Sequence, residues 1–267
     1  MKRILRRLAV ILGLTPSLPY AYPAFDVVTD GGSRFHLVGS IHMGSREMAP
    51  LPPLLRQRMA QADALIVEVD ISQPVRFDVQ PADARLTESL SGQEYQQLLK
   101  RSRQVGLSED SLESKPAWHV ALMLQAMQAE RSGLKSEFGI DYQSILAARE
   151  DALSVIELEG AEKQMTLLKR LPAEGLPLLR DTLAHWQDNQ RLMLIMVRWW
   201  LNEKPQRETL RLPYGMGDDI YRIMITERNR DWAQKLKALP KGDYVVVVGA
   251  LHLFGEHNLP ALLGRAP

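Results

Sequence analysis

Two stretches far apart in this chain share one pattern: an apolar run, a glycine, two further residues and a histidine. The first is Phe35-His36-Leu37-Val38-Gly39-Ser40-Ile41-His42; the second is Tyr244-Val245-Val246-Val247-Val248-Gly249-Ala250-Leu251-His252. Each is followed closely by another glycine, Gly44 and Gly255. An apolar, β-branched run that ends on glycine predicts a buried strand opening into a tight turn. Glycine at that point removes the side chain that would block close approach of another backbone. Open α/β sheets place their chemistry at the carboxyl ends of their strands. Two such strands would therefore bring two imidazoles to one edge and one shared site, with a metal as its first expected occupant.

The intervening chain supports an α/β fold with a mixed central sheet built from both chain ends and a large helical insert. Phe25 to Val28, a turn at Asp30-Gly31-Gly32 and a strand from Arg34 to Val38 read as a hairpin. A helical stretch from Leu54 to Asp63 leads to the strand Ala64 to Asp70, giving a strand–helix–strand unit. Residues 71–86 are irregular and polar. Residues 86–128 have helical period, with Pro116 opening one helix. Asp141 is placed to cap the helix Tyr142 to Glu150, and Ser154 to Gly160 follows as a strand with Glu157 and Glu159 on one face. Residues 161–203 are again helical, Pro205 and Pro213 mark a loop, and one helix runs from Asp218 to Ala238 before the turn at Pro240-Lys241-Gly242. The paired Gly-x-x-His units raise internal duplication as one origin of the sheet.

The 267 residues suffice for a real core, and residues 22–267 read as one domain. Ahead of it, Lys2, Arg3, Arg6 and Arg7 precede the apolar stretch Leu8 to Leu14. Residues 1–21 therefore read as a signal peptide cleaved near Ala21 or Ala24, which would place the protein in the periplasm. The other reading is a basic N-terminal segment on a cytoplasmic protein. Elsewhere no apolar run reaches the ~20 residues that span a bilayer. The 33 basic and 32 acidic side chains nearly cancel, so no net field favours nucleic acid. The expected partner is a peptide or a small molecule. The absence of cysteine excludes thiolate nucleophiles and zinc ribbons, so any metal must be held by histidine and carboxylate.

His42 and His252 are the leading candidates, because imidazole is the commonest metal ligand and two strands can leave coordination positions open. For either motif alone, a strand-end histidine bonded to backbone is the simpler reading. Glu68, at the end of its own strand, is the best third ligand; as a purely structural carboxylate it would cap a helix or meet an arginine. Glu157 and Glu159 compete for the ligand role or for that of general base. Arg228 could bind a substrate carboxylate or an oxyanion, or could be a salt-bridged packing residue. His36, His119, His185 and His257 read as packing or surface residues, with support of the site as a second reading of His257, and Trp186, Trp199 and Trp200 read as core.

The ordered set Gly39-Ser40-Ile41-His42-Met43-Gly44, Val67-Glu68-Val69-Asp70, Gly139-Ile140-Asp141, Ile156-Glu157-Leu158-Glu159, Glu227-Arg228-Asn229 and Val248-Gly249-Ala250-Leu251-His252-Leu253 resembles the TraB/GumN family, above all its enterobacterial branch. That family is related to the Tiki metalloproteases and more remotely to the erythromycin esterases. The resemblance covers roughly residues 22–265. It implies a hydrolase of a peptide or related carbonyl substrate, with His42, His252 and Glu68 as catalytic centre; on the leading reading these three residues hold a divalent metal, Mn²⁺, Co²⁺ or Zn²⁺. Arg228 corresponds to the family's arginine, and Glu159 is a candidate proton shuttle. The esterase relatives imply an alternative: metal-free hydrolysis with His42 as general base. Other bacterial members imply a third, a regulatory or peptide-binding protein without turnover.

Overall fold

The valines of the second motif lie inside a sheet covered on both faces. The computed structural model describes residues 20–72, 79, 81–202 and 218–264. The residues read as a leader up to position 19, much of the polar stretch after position 72, and the loop containing Pro205 and Pro213 lie outside these. Five strands, β1 (Ala24–Val28), β2 (Arg34–Ser40), β3 (Ala64–Val67), β4 (Val155–Glu157) and β5 (Asp243–Gly249), form one sheet in the order β1-β2-β5-β3-β4. β1 and β2 are the antiparallel hairpin that the sequence predicts, and every other pairing is parallel.

The two covered faces account for the unbroken apolar run of β5. Val245 and Val247 join Val38, Leu65 and Val67 on one face, under Leu55 and Met59 of the helix Pro53–Ala60 and Ile140, Ile145 and Ala148 of the helix Ile140–Glu150. Tyr244, Val246 and Val248 join Phe35, Leu37 and Ile66 on the other, under Trp232 and Leu236 of the helix Glu227–Lys237 and Leu259 and Leu263 of Leu259–Leu263. The sheet is thus built from both chain ends, with β5 between β2 and β3. The strand–helix–strand unit read from β2 to β3 therefore steps over a strand added much later in the chain.

The helical insert has a core of its own, with Leu98, Leu124, Leu179 and Trp186 among its buried residues. Its helix Gly92–Val105 starts at a capping box, Ser91 with Glu94, and stops at Gly106 with φ 81°. Trp200 instead belongs to the sheet's core, and its indole N–H donates to the Gly39 carbonyl at 3.1 Å.

Several elements differ from the sequence reading, and the strand read as Ala64 to Asp70 is regular only over Ala64–Val67. The predicted strand Ser154 to Gly160 is regular only over Val155–Glu157, because Gly160, with φ 76°, turns the chain into the helix Ala161–Lys169. The predicted helix Asp218 to Ala238 contains a π-helical segment, Arg222–Thr226, between the α-helical Asp218–Tyr221 and Glu227–Lys237. A π-turn widens a helix and is frequent next to functional residues; here Arg228 follows directly. Among the described residues, no helix is long and apolar enough to cross a membrane.

Candidate functional site

His42 lies two residues past β2, Glu68 directly past β3, Glu159 two residues past β4, and His252 in the short turn after β5. The parallel strands bring their carboxyl ends to one edge, as expected for this topology. There the main chain continues the pairing. The N–H groups of Glu159 and Gly160 donate to the Glu68 carbonyl at 3.0 and 3.2 Å, which sets Glu159 beside Glu68.

The two histidines are not equivalent. In the β2–β5 register Gly39 pairs with Val248 and Ser40 with Gly249, so the two motifs are offset by one residue. A one-residue offset directs side chains to opposite faces of a sheet. His252 is buried, whereas the His42 side chain is 68% exposed.

Around His252 the groups form a closed network centred on Arg228. Its Nε–H donates to Glu159 Oε1 at 3.0 Å, Nη1 to the Met224 carbonyl and to His252 Nε2, both at 3.1 Å, and Nη2 to Glu68 Oε2 at 2.5 Å and Glu159 Oε2 at 2.9 Å. A guanidinium has five N–H donors, and this count uses all of them. Because Arg228 can only donate, His252 Nε2 must accept, and the ring proton lies on Nδ1, which faces Asn229 Oδ1 at 2.7 Å. Burial pushes His252 down to about 3, with Arg228 adding to the shift, so the ring is neutral. Burial would raise Glu68, but Arg228 and the Gly249 N–H at 2.6 Å overcome it and hold the carboxyl at about 2. Trp232 donates its indole N–H to Glu159 at 3.0 Å and packs its ring 4.3 Å from that of His252.

His42 belongs to a second, open group. Its Nδ1 meets Asp141 Oδ2 at 2.9 Å, and Ser40 Oγ donates to the other carboxylate oxygen. The Asp141 charge is the main cause that raises His42, to about 9. Asp141 reaches it because the loop after β2 lies against the chain entering the helix Ile140–Glu150. Gly44 and Lys135 exchange backbone hydrogen bonds at 3.0 and 2.9 Å, and the Ile140 N–H donates to the Ile41 carbonyl. A Cβ at Gly44 would strike the Phe138 carbonyl, and one at Gly139 the His42 carbonyl.

The structure thus brings His42, Glu68, Glu159, Arg228 and His252 to one edge, and it corrects several roles. Gly139, not Asp141, is the helix N-cap, and the Asp141 carboxylate is committed to Ser40 and His42. Glu157 is exposed and accepts from the Asp70 N–H at 2.6 Å. Arg228, fully bonded, has no donor left for a substrate carboxylate or an oxyanion. The part of His257 that enters the network is its main-chain carbonyl, which accepts from Asn229 at 3.0 Å. Ser40, Asn229 and Trp232 had no assigned part; Ser40 and Asn229 lie within the quoted motifs, but sequence spacing does not reveal which imidazole each would meet.

The donor set does not fit a metal at His42, Glu68 and His252. A guanidinium already takes the His252 lone pair and one Glu68 oxygen, so of the two imidazoles only His42, through Nε2, keeps a nitrogen lone pair for an ion. Among the described residues, no group of three or more histidine, aspartate or glutamate side chains is arranged to hold an ion.

This chain is similar to two relatives named Uncharacterized protein YbaP, from Escherichia coli (strain K12) and from Shigella flexneri. Each is 47% identical over 245 residues, covering 91% of this chain and 93% of the relative. No solved structure matches the chain. The model of the TraB/PrgY/gumN family matches residues 24–266, a span that contains the whole sheet and every side chain of the two groups at its edge. The chain belongs to the TraB/PrgY/gumN family.

Proposed function

We propose that this protein is a hydrolase of an ester or peptide carbonyl that uses His42 for acid–base catalysis, without a metal on the His42–Glu68–His252 set. The observation that carries this reading is the contrast within the site. Glu68, Glu159, Arg228 and His252 are occupied with one another, whereas His42 presents an exposed ring held from behind by Asp141. Asp141 keeps the proton on Nδ1 when the ring is neutral and leaves the Nε2 lone pair for substrate water. In the reaction Nε2 takes a proton from water as the oxygen attacks the carbonyl carbon. The imidazolium then returns that proton to the departing alkoxide or amine as the C–O or C–N bond breaks.

The test is a panel of activated esters and peptides presented to the full chain in excess chelator. The expected result is turnover that His42→Ala lowers by 10²–10⁴-fold, the usual range for a positioned acid–base group. Activity that requires added metal would return the site to a metallohydrolase, and saturable binding without cleavage would make the protein a binding or regulatory one.

The same reading predicts a pH profile. His42 is raised by Asp141, so its basic form accumulates only as pH climbs, and kcat/KM should increase toward about 9. Asp141→Asn removes the charge. The midpoint should move down toward the ordinary histidine value of about 6.5, while the plateau rate falls because the ring loses its orientation. An unchanged midpoint in that variant would exclude the His42–Asp141 pair as the titrating unit.

A further inference from the structure

We infer that the Arg228 guanidinium is the resident cation of this edge, that Glu68, Glu159 and His252 form a cage built for it in place of a divalent metal, and that His252 is a positioning residue for Arg228. The inference stands whether or not His42 turns over a substrate.

The cage matches the planar shape of the guanidinium. Glu159 takes the Nε edge and one Nη2 hydrogen, Glu68 the other Nη2 hydrogen, and His252 Nε2 and the Met224 carbonyl share Nη1. Trp232 packs beneath, with Cζ 4.6 Å from its ring centroid, and holds Glu159 in place with its indole N–H. Asn229 fixes the His252 ring from its far side through Nδ1, and the Asn229 amide is itself tied to the His252 and His257 carbonyls at 3.3 and 3.0 Å. The His252 lone pair can thus point only at Nη1. Two carboxylates and one guanidinium leave the cage one negative charge in a dry setting, with Arg228 and the Glu68 and Glu159 side chains all below 10% exposure. A metal could use the His252 lone pair and Glu68 Oε2 only by displacing the guanidinium from both.

The placement makes an unusual prediction: shortening Arg228 creates a metal site. Arg228→Ala empties the space between two carboxylates and a neutral imidazole, a donor set suited to Zn²⁺ or Co²⁺. The full chain, its Arg228→Ala and Arg228→Lys variants, and the double variant Arg228→Ala/His252→Ala are equilibrated with Co²⁺ or Zn²⁺ and desalted. Retained metal is then measured by elemental analysis, and Co²⁺ coordination by visible absorption. The parent chain and Arg228→Lys, which keeps a cation in the cage, should retain less than ~0.1 metal per chain. Arg228→Ala should retain about one, at least tenfold more, and should lose it in the double variant.

A parent chain that holds about one metal per molecule and releases it on His252→Gln or Glu68→Gln would overturn the inference. So would a folded Arg228→Ala chain that takes up none, because the three donors would then not share a cage. If Arg228→Ala does not fold, the parent chain and Arg228→Lys decide the matter: metal in either, lost on His252→Gln, refutes it.

Discussion

Of His42, Glu68, Glu159, Arg228 and His252, His42 is the exposed one, and the other four hold each other in place. Glu159 is the most sequestered of them, its side chain fully buried and bonded to both Arg228 and Trp232. Glu159→Ala would leave a buried guanidinium without two of its acceptors. Breaking a buried pair from one side costs about 3–5 kcal/mol, so its urea midpoint should drop well below that of Glu159→Gln, which keeps an acceptor. Equal midpoints would mean that Glu159 does not hold the cage. At this scale the sequence showed which residues meet but not how they share their bonds. The Gly-x-x-His pairs and the acidic strand ends marked His42, His252, Glu68 and Glu159. The commitment of all five Arg228 donors, to partners from 4 to 160 positions away, and the partnership of Asp141 with His42, 99 positions apart, depend on contacts that spacing along the chain does not encode.

Individual elements were legible where both faces of a strand are buried or a turn is local. The run Val245 to Val248 and the β1–β2 hairpin are of this kind. The π segment Arg222–Thr226 was not, because its residues have ordinary helical character and the widening shows only in which carbonyl each N–H reaches. Nor was the reason for Gly44 and Gly139. In the structure they let two loops lie backbone to backbone so that Asp141 can reach His42. Gly44→Ala or Gly139→Ala should therefore push those loops apart, at about 1–3 kcal/mol, the usual cost of overpacking. Each should also lower the His42 pKa, which NMR titration of the ring would follow. A variant that keeps its stability and its His42 titration would show that the close approach is not what sets the pair.

For the whole molecule, the two histidines set opposite limits on pH stability. His252 has a folded value near 3 against an ordinary 6.5. Above about 6.5 it is neutral in both states, and its contribution is complete. As pH falls from 6.5 toward 3 only the unfolded chain takes up the proton, and stability is lost. Glu68, held near 2 against 4.5, adds to the same acid limb below about 4.5. His42 acts in reverse: raised to about 9, it contributes fully below 6.5 and its share disappears as pH climbs through 9. This alkaline limb should be the shallower, because water screens an exposed pair. Thermal melts from pH 4 to 10 should therefore peak near neutrality, and His42→Ala should flatten the alkaline side alone. An acid limb unchanged in a folded His252→Gln chain would contradict the buried neutral ring.

The position of β5 has a consequence in time. β5 is the middle strand, yet among the strands its residues enter the chain last, with Asp243 209 positions after its neighbour Arg34. Until it arrives, β2 and β3 have no common partner, and neither His42 nor Glu68 has an edge to occupy. The helical insert, with its own core, can settle early, but contacts this distant in sequence close late and slowly. The sheet edge is thus unassembled as the chain grows, and its histidines and carboxylates are not brought together until one segment of seven residues slots into the centre.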